Sequence, residues 1–267
     1  MLIKEINVKT CMTKSKLTDY VINPYTGCQH GCKYCYATFI KRFQNIKEDW
    51  GDFVYVKVNC IELLKKELEK NKPGHIWMSS VTDCYSPIEG KYKLTRQILE
   101  TFVNSKCKNK YSFEILTKSA LVRRDFDLLK QLNVELGCTI NTLDNNFSKI
   151  IEPLASPPLE RIKVLKDAKK EGIKVYCFIA PVFPEFTNLE GLFKELSFCD
   201  YVWVELLNTK KDVLECLMPV IKKNFPDKFN AFENMINNYK EYCNTVKKEV
   251  VVLSKKYNLK VKDVVVH

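Results

Sequence analysis

With 267 residues, 46% hydrophobic and 28% charged, the chain can bury a full core and falls within the size of one α/β barrel domain. It holds no apolar run long enough to span a bilayer, and the charged start Met1-Leu-Ile-Lys-Glu-Ile6 lacks the apolar stretch of a signal peptide, so a cytoplasmic, membrane-free protein is expected. The net charge of +11 favours a polyanionic partner, nucleic acid among them, although much of the excess is Lys in pairs such as Lys65-Lys66 and Lys169-Lys170, which solvated helical faces also explain.

In chain order, Leu17 to Asn23 is strand-prone and runs into a turn-forming segment with Pro24 and Gly27. Tyr36 to Phe43 begins a helix, Phe53 to Val58 reads as a short strand, and Ile61 to Asn71 carries apolar residues at helical spacing. Strand-like runs at His75–Ser79, Tyr111–Leu116, Val134–Ile140, Lys174–Ile179 and Asp200–Glu205 then alternate with helical runs at Lys93–Ser105, Arg124–Leu132, Leu159–Glu171 and Leu189–Leu196. Counting the first strand gives six β/α units, which predicts an α/β fold: a partial (β/α)6 TIM-type barrel with its chemistry at the C-terminal ends of the strands. Residues 1–210 are assigned to the barrel. Residues 211–267, with helical runs at Val213–Lys222 and Phe229–Tyr257, are assigned to a helical C-terminal extension packed on it.

Twelve cysteines spread from Cys11 to Cys243 over a chain that needs no disulfide staples fit a reducing compartment. Cys107, Cys138, Cys177, Cys199, Cys216 and Cys243 read as small apolar core or surface residues. The remaining signal is concentrated in Gly27-Cys28-Gln-His-Gly-Cys32-Lys-Tyr-Cys35, a C-x3-C-x2-C spacing. Three thiolates on one loop can hold three irons of a cubane [4Fe–4S] cluster, leaving the fourth iron open as a reaction site. A Cys3His zinc site using His30 is the competing reading, but structural zinc usually draws ligand pairs from two segments, and no second C-x2-C exists.

This spacing resembles that of the radical S-adenosylmethionine (SAM) superfamily. The ordered set NPYTGCQHGCKYCYA, VTDCYSPIEGKYKLTR, TKS, GCTINTLDNNFSKIIEPLASPPLERI and IAPVFPEFTN is similar to its spore photoproduct lyase-related group, over about Tyr20 to Asn188. The resemblance implies a [4Fe–4S] cluster on Cys28, Cys32 and Cys35, SAM as second cofactor, reductive SAM cleavage to a 5′-deoxyadenosyl radical, and hydrogen abstraction from a substrate in the barrel mouth. It also implies an electron donor of flavodoxin or ferredoxin type.

By the same resemblance Tyr34 lies by the SAM adenine, and Ser80, Thr82, Asp83, Lys118, Thr139, Asn141 and Ala180 are SAM-contact candidates. Tyr36 matches a tyrosine implicated in hydrogen-atom relay. Glu152 and Arg161, from the group's Glu-Pro…Glu-Arg pattern, are read as an ion pair outside the catalytic set. One departure stands out. The lyase carries a hydrogen-donating cysteine where this chain has Ser80, and a hydroxyl O–H bond is too strong for that task. Cys84 is the nearby thiol that could substitute. The C-terminal tail shows no aromatic wedge pair for opening DNA, so repair of DNA photoproducts stands as an alternative, beside a non-catalytic metal- or nucleic-acid-binding module.

Overall fold

A computed structural model describes all 267 residues. Eleven strands form two sheets: β1 (Leu2–Ile6), β2 (Met12–Lys14), β3 (Tyr20–Ile22), β4 (Tyr25–Thr26), β5 (Phe53–Lys57), β6 (His75–Met78), β7 (Ser112–Thr117), β8 (Asn133–Thr139), β9 (Lys174–Val182), β10 (Tyr201–Leu206) and β11 (Val261–Val265). The main sheet runs β11-β10-β9-β8-β7-β6-β3-β2, with every neighbouring pair parallel except β2 and β3. The sheet curves into the expected partial TIM-type barrel, its edges at β2 and β11. A small side sheet, β1-β5-β4, flanks the loop that follows β3.

The six expected strands are all present, the first shortened to Tyr20–Ile22. The region after residue 210 is mainly helical, with helices Lys211–Asn224, Phe229–Asn237 and Tyr239–Tyr257, but it ends in β11, which pairs in parallel with β10. Cys243, Val246, Val250 and Leu253 on the last helix belong to the same buried cluster as Ile115, Leu136 and Val204 of the sheet. Cys11 and Cys60 are joined in a disulfide, Cα atoms 5.0 Å apart, a cross-link not expected in a chain read as free thiols.

Alternation along the strands decides what faces inward. In β6 and β7, Ile76, Met78, Phe113 and Ile115 pack outward against helices, while Trp77, Glu114 and Leu116 line the barrel interior. On neighbouring β9, Tyr176, the register partner of Gly137, folds its ring over β8 so that a Cβ on Gly137 would sit 2.3 Å from it, which is why that strand carries a glycine. Tyr176 donates to Glu114 Oε1 at 2.8 Å, and His75 Nδ1 lies 2.8 Å from Ser112 Oγ, so the barrel floor is polar and internally bonded.

Candidate active site

The loop after β3 is shaped by its neighbours. Gly27 has φ of +85°, and a Cβ there would lie 2.5 Å from the Phe53 carbonyl of the side sheet, so only glycine lets the loop lie flat against β5. Thr82 donates its hydroxyl to the Gly27 carbonyl at 2.5 Å, tying the loop after β6 to the cysteine loop. Beyond that turn Cys28, Cys32 and Cys35 all face one cavity of ≈ 1360 Å³ that runs through the barrel. That volume exceeds the range of roughly 300–1,000 Å³ usual for a single small ligand.

His30, buried within the loop, is held at both ring nitrogens: Nδ1 lies 2.9 Å from the Leu154 carbonyl and Nε2 3.0 Å from Asp83 Oδ2. Neither nitrogen is left to bind a metal. No three His, Cys, Asp or Glu side chains converge on a single-ion site. A zinc ion on Cys28, Cys32, Cys35 and His30 therefore finds no geometry here, whereas a cubane spreads its thiolates over separate irons and asks for no such convergence. Burial pushes the Cys32 thiol up to about 12 and raises Cys28 and Cys35 as well, so loading the loop must release protons. Lys118 and Arg161 work in the opposite direction on Cys32 by favouring its thiolate.

Asp83, a SAM-contact candidate, lines the cavity with its carboxylate already engaged. A carboxylate has about four acceptor positions. All are used: Oδ1 accepts Thr117 Oγ1 and the Tyr85 amide at 2.8 Å each, and Oδ2 accepts His30 Nε2 at 3.0 Å and the Lys118 amide at 2.8 Å. Burial alone would raise its pKa, but the His30 charge and these hydrogen bonds outweigh that and hold the carboxyl at about 2. It is a tie between the loops after β3, β6 and β7, with nothing left over for a SAM amino group.

A second network supports Tyr34. Glu152 and Arg161 form a fully buried ion pair. Arg161 also donates to the Thr139 carbonyl at 3.0 Å and the Ser156 carbonyl at 2.6 Å. Tyr34 donates its hydroxyl to Glu152, and its ring meets Phe183 edge-on at 5.4 Å. Asn141 does not reach the cavity. Its amide donates to Glu152 Oε1 at 2.9 Å and the Tyr34 hydroxyl at 3.1 Å, so the SAM contact expected of it is replaced by a role in holding Tyr34. The ion pair expected of Glu152 and Arg161 is thus present, and it supports this wall. The Glu152-Pro153…Glu160-Arg161 spacing was the available signal, since it puts a carboxylate at the end of one helix and a guanidinium on the first turns of the next, across a short loop.

Tyr34, Tyr36, Ser80, Thr82, Lys118, Thr139 and Ala180 line the cavity with the three cysteines. The Lys118 ammonium stands 5.7 Å from the Tyr34 ring centroid and forms no ion pair with a carboxylate. Burial opposes its charge, yet the acidic groups around it, Cys32 and Glu152 foremost, prevail and raise its pKa. Tyr36 is 54% exposed and donates its hydroxyl to the Ser80 carbonyl. Cys84 is fully buried in the main core, its carbonyl accepting Thr95 Oγ1 at 2.6 Å, and it does not line the cavity. The backbone turns after Asp83 and aims this thiol at the helices, so the substitute donor read from sequence is on the wrong side of the sheet.

Residues 22–194 match the family model described as the radical SAM superfamily. An uncharacterised protein of Methanocaldococcus jannaschii is 38% identical over 96% of this chain and 93% of its own length. A radical SAM Nα-GlyT isomerase of Pseudomonas phage M6 is 24% identical over 85% of this chain and 47% of its own. Among solved structures, a variant of spore photoproduct lyase with bound AdoMet and dinucleoside spore photoproduct shares the fold, with a TM-score of 0.62, 18% identity, and coverage of 84% of this chain and 66% of that one. No helix is long and apolar enough to cross a membrane. Members of the matched family are enzymes that use a [4Fe–4S] cluster and SAM, and with a three-thiol loop opening onto the barrel cavity this chain belongs to the radical SAM superfamily.

Proposed function

We propose that the protein cleaves SAM reductively on a cluster held by Cys28, Cys32 and Cys35 and abstracts a hydrogen atom from a substrate in the barrel, with a hydrogen-return step unlike that of spore photoproduct lyase. The observation that carries this reading is the lining of the cavity, where the three loop cysteines are the only thiols. A cluster bound there supplies an open iron for SAM and the electron that breaks its sulfonium to a 5′-deoxyadenosyl radical.

The chain's own residues prepare that step. Lys118 offers an unpaired ammonium for a carboxylate, as a compact point charge. Thr139 and the backbone near Ala180 offer contacts for the rest of SAM, and Tyr34, locked by Glu152, fixes one wall beside the adenine. Tyr36, tethered to the Ser80 carbonyl and half open to solvent, is the lining residue suited to pass a hydrogen atom onward. Ser80 lines the cavity at the lyase's cysteine position without a thiol. Electrons come from a donor of flavodoxin or ferredoxin type.

DNA photoproduct repair is the second reading, favoured by the fold shared with a lyase bound to its dinucleoside photoproduct and by the +11 charge. Incubating the anaerobic protein with SAM, dithionite and photoproduct-containing oligonucleotides separates the two. The expected result is 5′-deoxyadenosine with little thymine restored, and a gain of repair in Ser80→Cys. Efficient repair by the wild type would contradict the Ser80 argument.

A further inference from the structure

Exposed aromatic side chains are unevenly placed. Tyr36, Phe39 and Phe43 are the only aromatics of the chain among its exposed large hydrophobics, at 54%, 38% and 83%, and all three line the mouth of the cavity. They stand on one short stretch, the helical turn Tyr36–Phe39 and the helix Ile40–Gln44 that leave the cysteine loop. Phe39 and Phe43, one helical turn apart, meet edge-on with ring centroids 5.9 Å apart and an interplanar angle of 86°. Edge-on contact leaves ring faces free to be covered by something else. Leaving such a cluster in water is unfavourable, and exposed aromatic patches beside a cavity mark interaction sites.

The interior continues the pattern, since all three tryptophans of the chain, Trp50, Trp77 and Trp203, line the same cavity. The Trp77 indole N–H is buried there without a hydrogen-bond partner. Arg42, in an ion pair with Asp212 at 2.7 Å, and Lys210, which forms none, stand at the same rim. Planar aromatic faces leading past the Lys210 ammonium into an aromatic-lined barrel, on a chain of net charge +11, suit a chain of planar groups carried on an anionic backbone.

We infer that Phe39 and Phe43 are a stacking platform for a single-stranded nucleic acid, holding flanking bases at the mouth while one nucleotide enters the barrel. The inference deepens the proposed function by naming its substrate class. Its test needs neither SAM nor reductant, so failure of strand binding leaves the cluster chemistry standing, and absence of deoxyadenosine leaves strand binding standing. The platform also supplies the exposed aromatic pair that the C-terminal tail lacks.

Fluorescence anisotropy of the reconstituted full chain is measured with labelled oligothymidylate, oligouridylate and an abasic strand of equal length. Saturable, salt-sensitive binding of at least one base-bearing strand is expected, with the abasic strand markedly weaker. Phe39→Ala and Phe43→Ala each weaken binding about tenfold, while Phe43→Trp retains it. Both positions are exposed, so their variants fold, and unchanged far-UV circular dichroism verifies it. Equal affinity for base-bearing and abasic strands, no loss in either Ala variant, or binding of an acidic flavoprotein that these variants abolish while strand binding is absent would each overturn the inference.

Discussion

Truncating either member of the Glu152–Arg161 pair is expected to destabilise the protein by about 3–5 kcal/mol, the cost of leaving one charge buried and uncompensated. Both side chains are fully buried, so the remaining partner stays in a low-dielectric site. Burial on its own would raise the Glu152 pKa, and it is Arg161, with Lys118, that reverses this and holds the carboxylate ionised. In Arg161→Met, Glu152 keeps only the Tyr34 hydroxyl, the Asn141 amide and a long contact from Ser148 Oγ at 3.3 Å. The double variant Glu152→Leu/Arg161→Met removes both charges and should recover the part of the loss due to the unpaired charge, but not the bonds that Tyr34, Asn141 and the Thr139 and Ser156 carbonyls lose. Urea denaturation of the four proteins reads the cycle. Single variants within about 1 kcal/mol of wild type would show that the pair does not hold this wall.

Asp83→Asn is the second large effect. An amide oxygen cannot replace a carboxylate that accepts four donors, and the amide's own N–H groups would face His30 Nε2 or the Lys118 and Tyr85 amides. A loss of about 3 kcal/mol is expected, together with poor iron retention by a loop no longer tied to β6 and β7. The effect carries a pH signature. The folded-state pKa of Asp83 is depressed to about 2, so its contribution is fully present above the ordinary carboxylate value and is lost as pH falls from about 4 through 2. That contribution is worth on the order of 2 kcal/mol. The stability gap between wild type and Asp83→Asn should therefore narrow across that window in iron-free protein. A gap that stays constant would mean that Asp83 does not titrate as its four donors require.

Much of this was legible in the sequence because it is local. The three-cysteine spacing, the alternation of short β-branched strands with amphipathic helices, and the short polar segments at strand ends all lie within a few residues of one another. What escaped was non-local. β11 is a five-residue edge strand whose partner β10 lies more than fifty residues earlier, and nothing in Val-Lys-Asp-Val-Val separates it from a tail. Cys11 and Cys60 share no local spacing and meet only because β2 packs near the helix Cys60–Lys70, where Glu67 also accepts the Cys11 and Met12 amides.

The surroundings of Asp83, Asn141 and Cys84 escaped for the same reason. Asp83 and Asn141 are held by partners distant in sequence, His30 and Glu152, that no motif names together, and Cys84 packs in the core rather than at the cavity. Tyr34, Lys118 and Thr139, assigned through the family resemblance, do line the cavity.

The central claim is that Cys28, Cys32 and Cys35 hold a cluster with one iron left for SAM. Electron paramagnetic resonance of the anaerobically reconstituted, dithionite-reduced protein, with iron and sulfide analysis, tests it most directly. Expected are about four irons and four sulfides per chain, a reduced-cluster signal that shifts when SAM is added, and loss of both in Cys32→Ala. Bound zinc without sulfide, or a cluster signal indifferent to SAM, would contradict it.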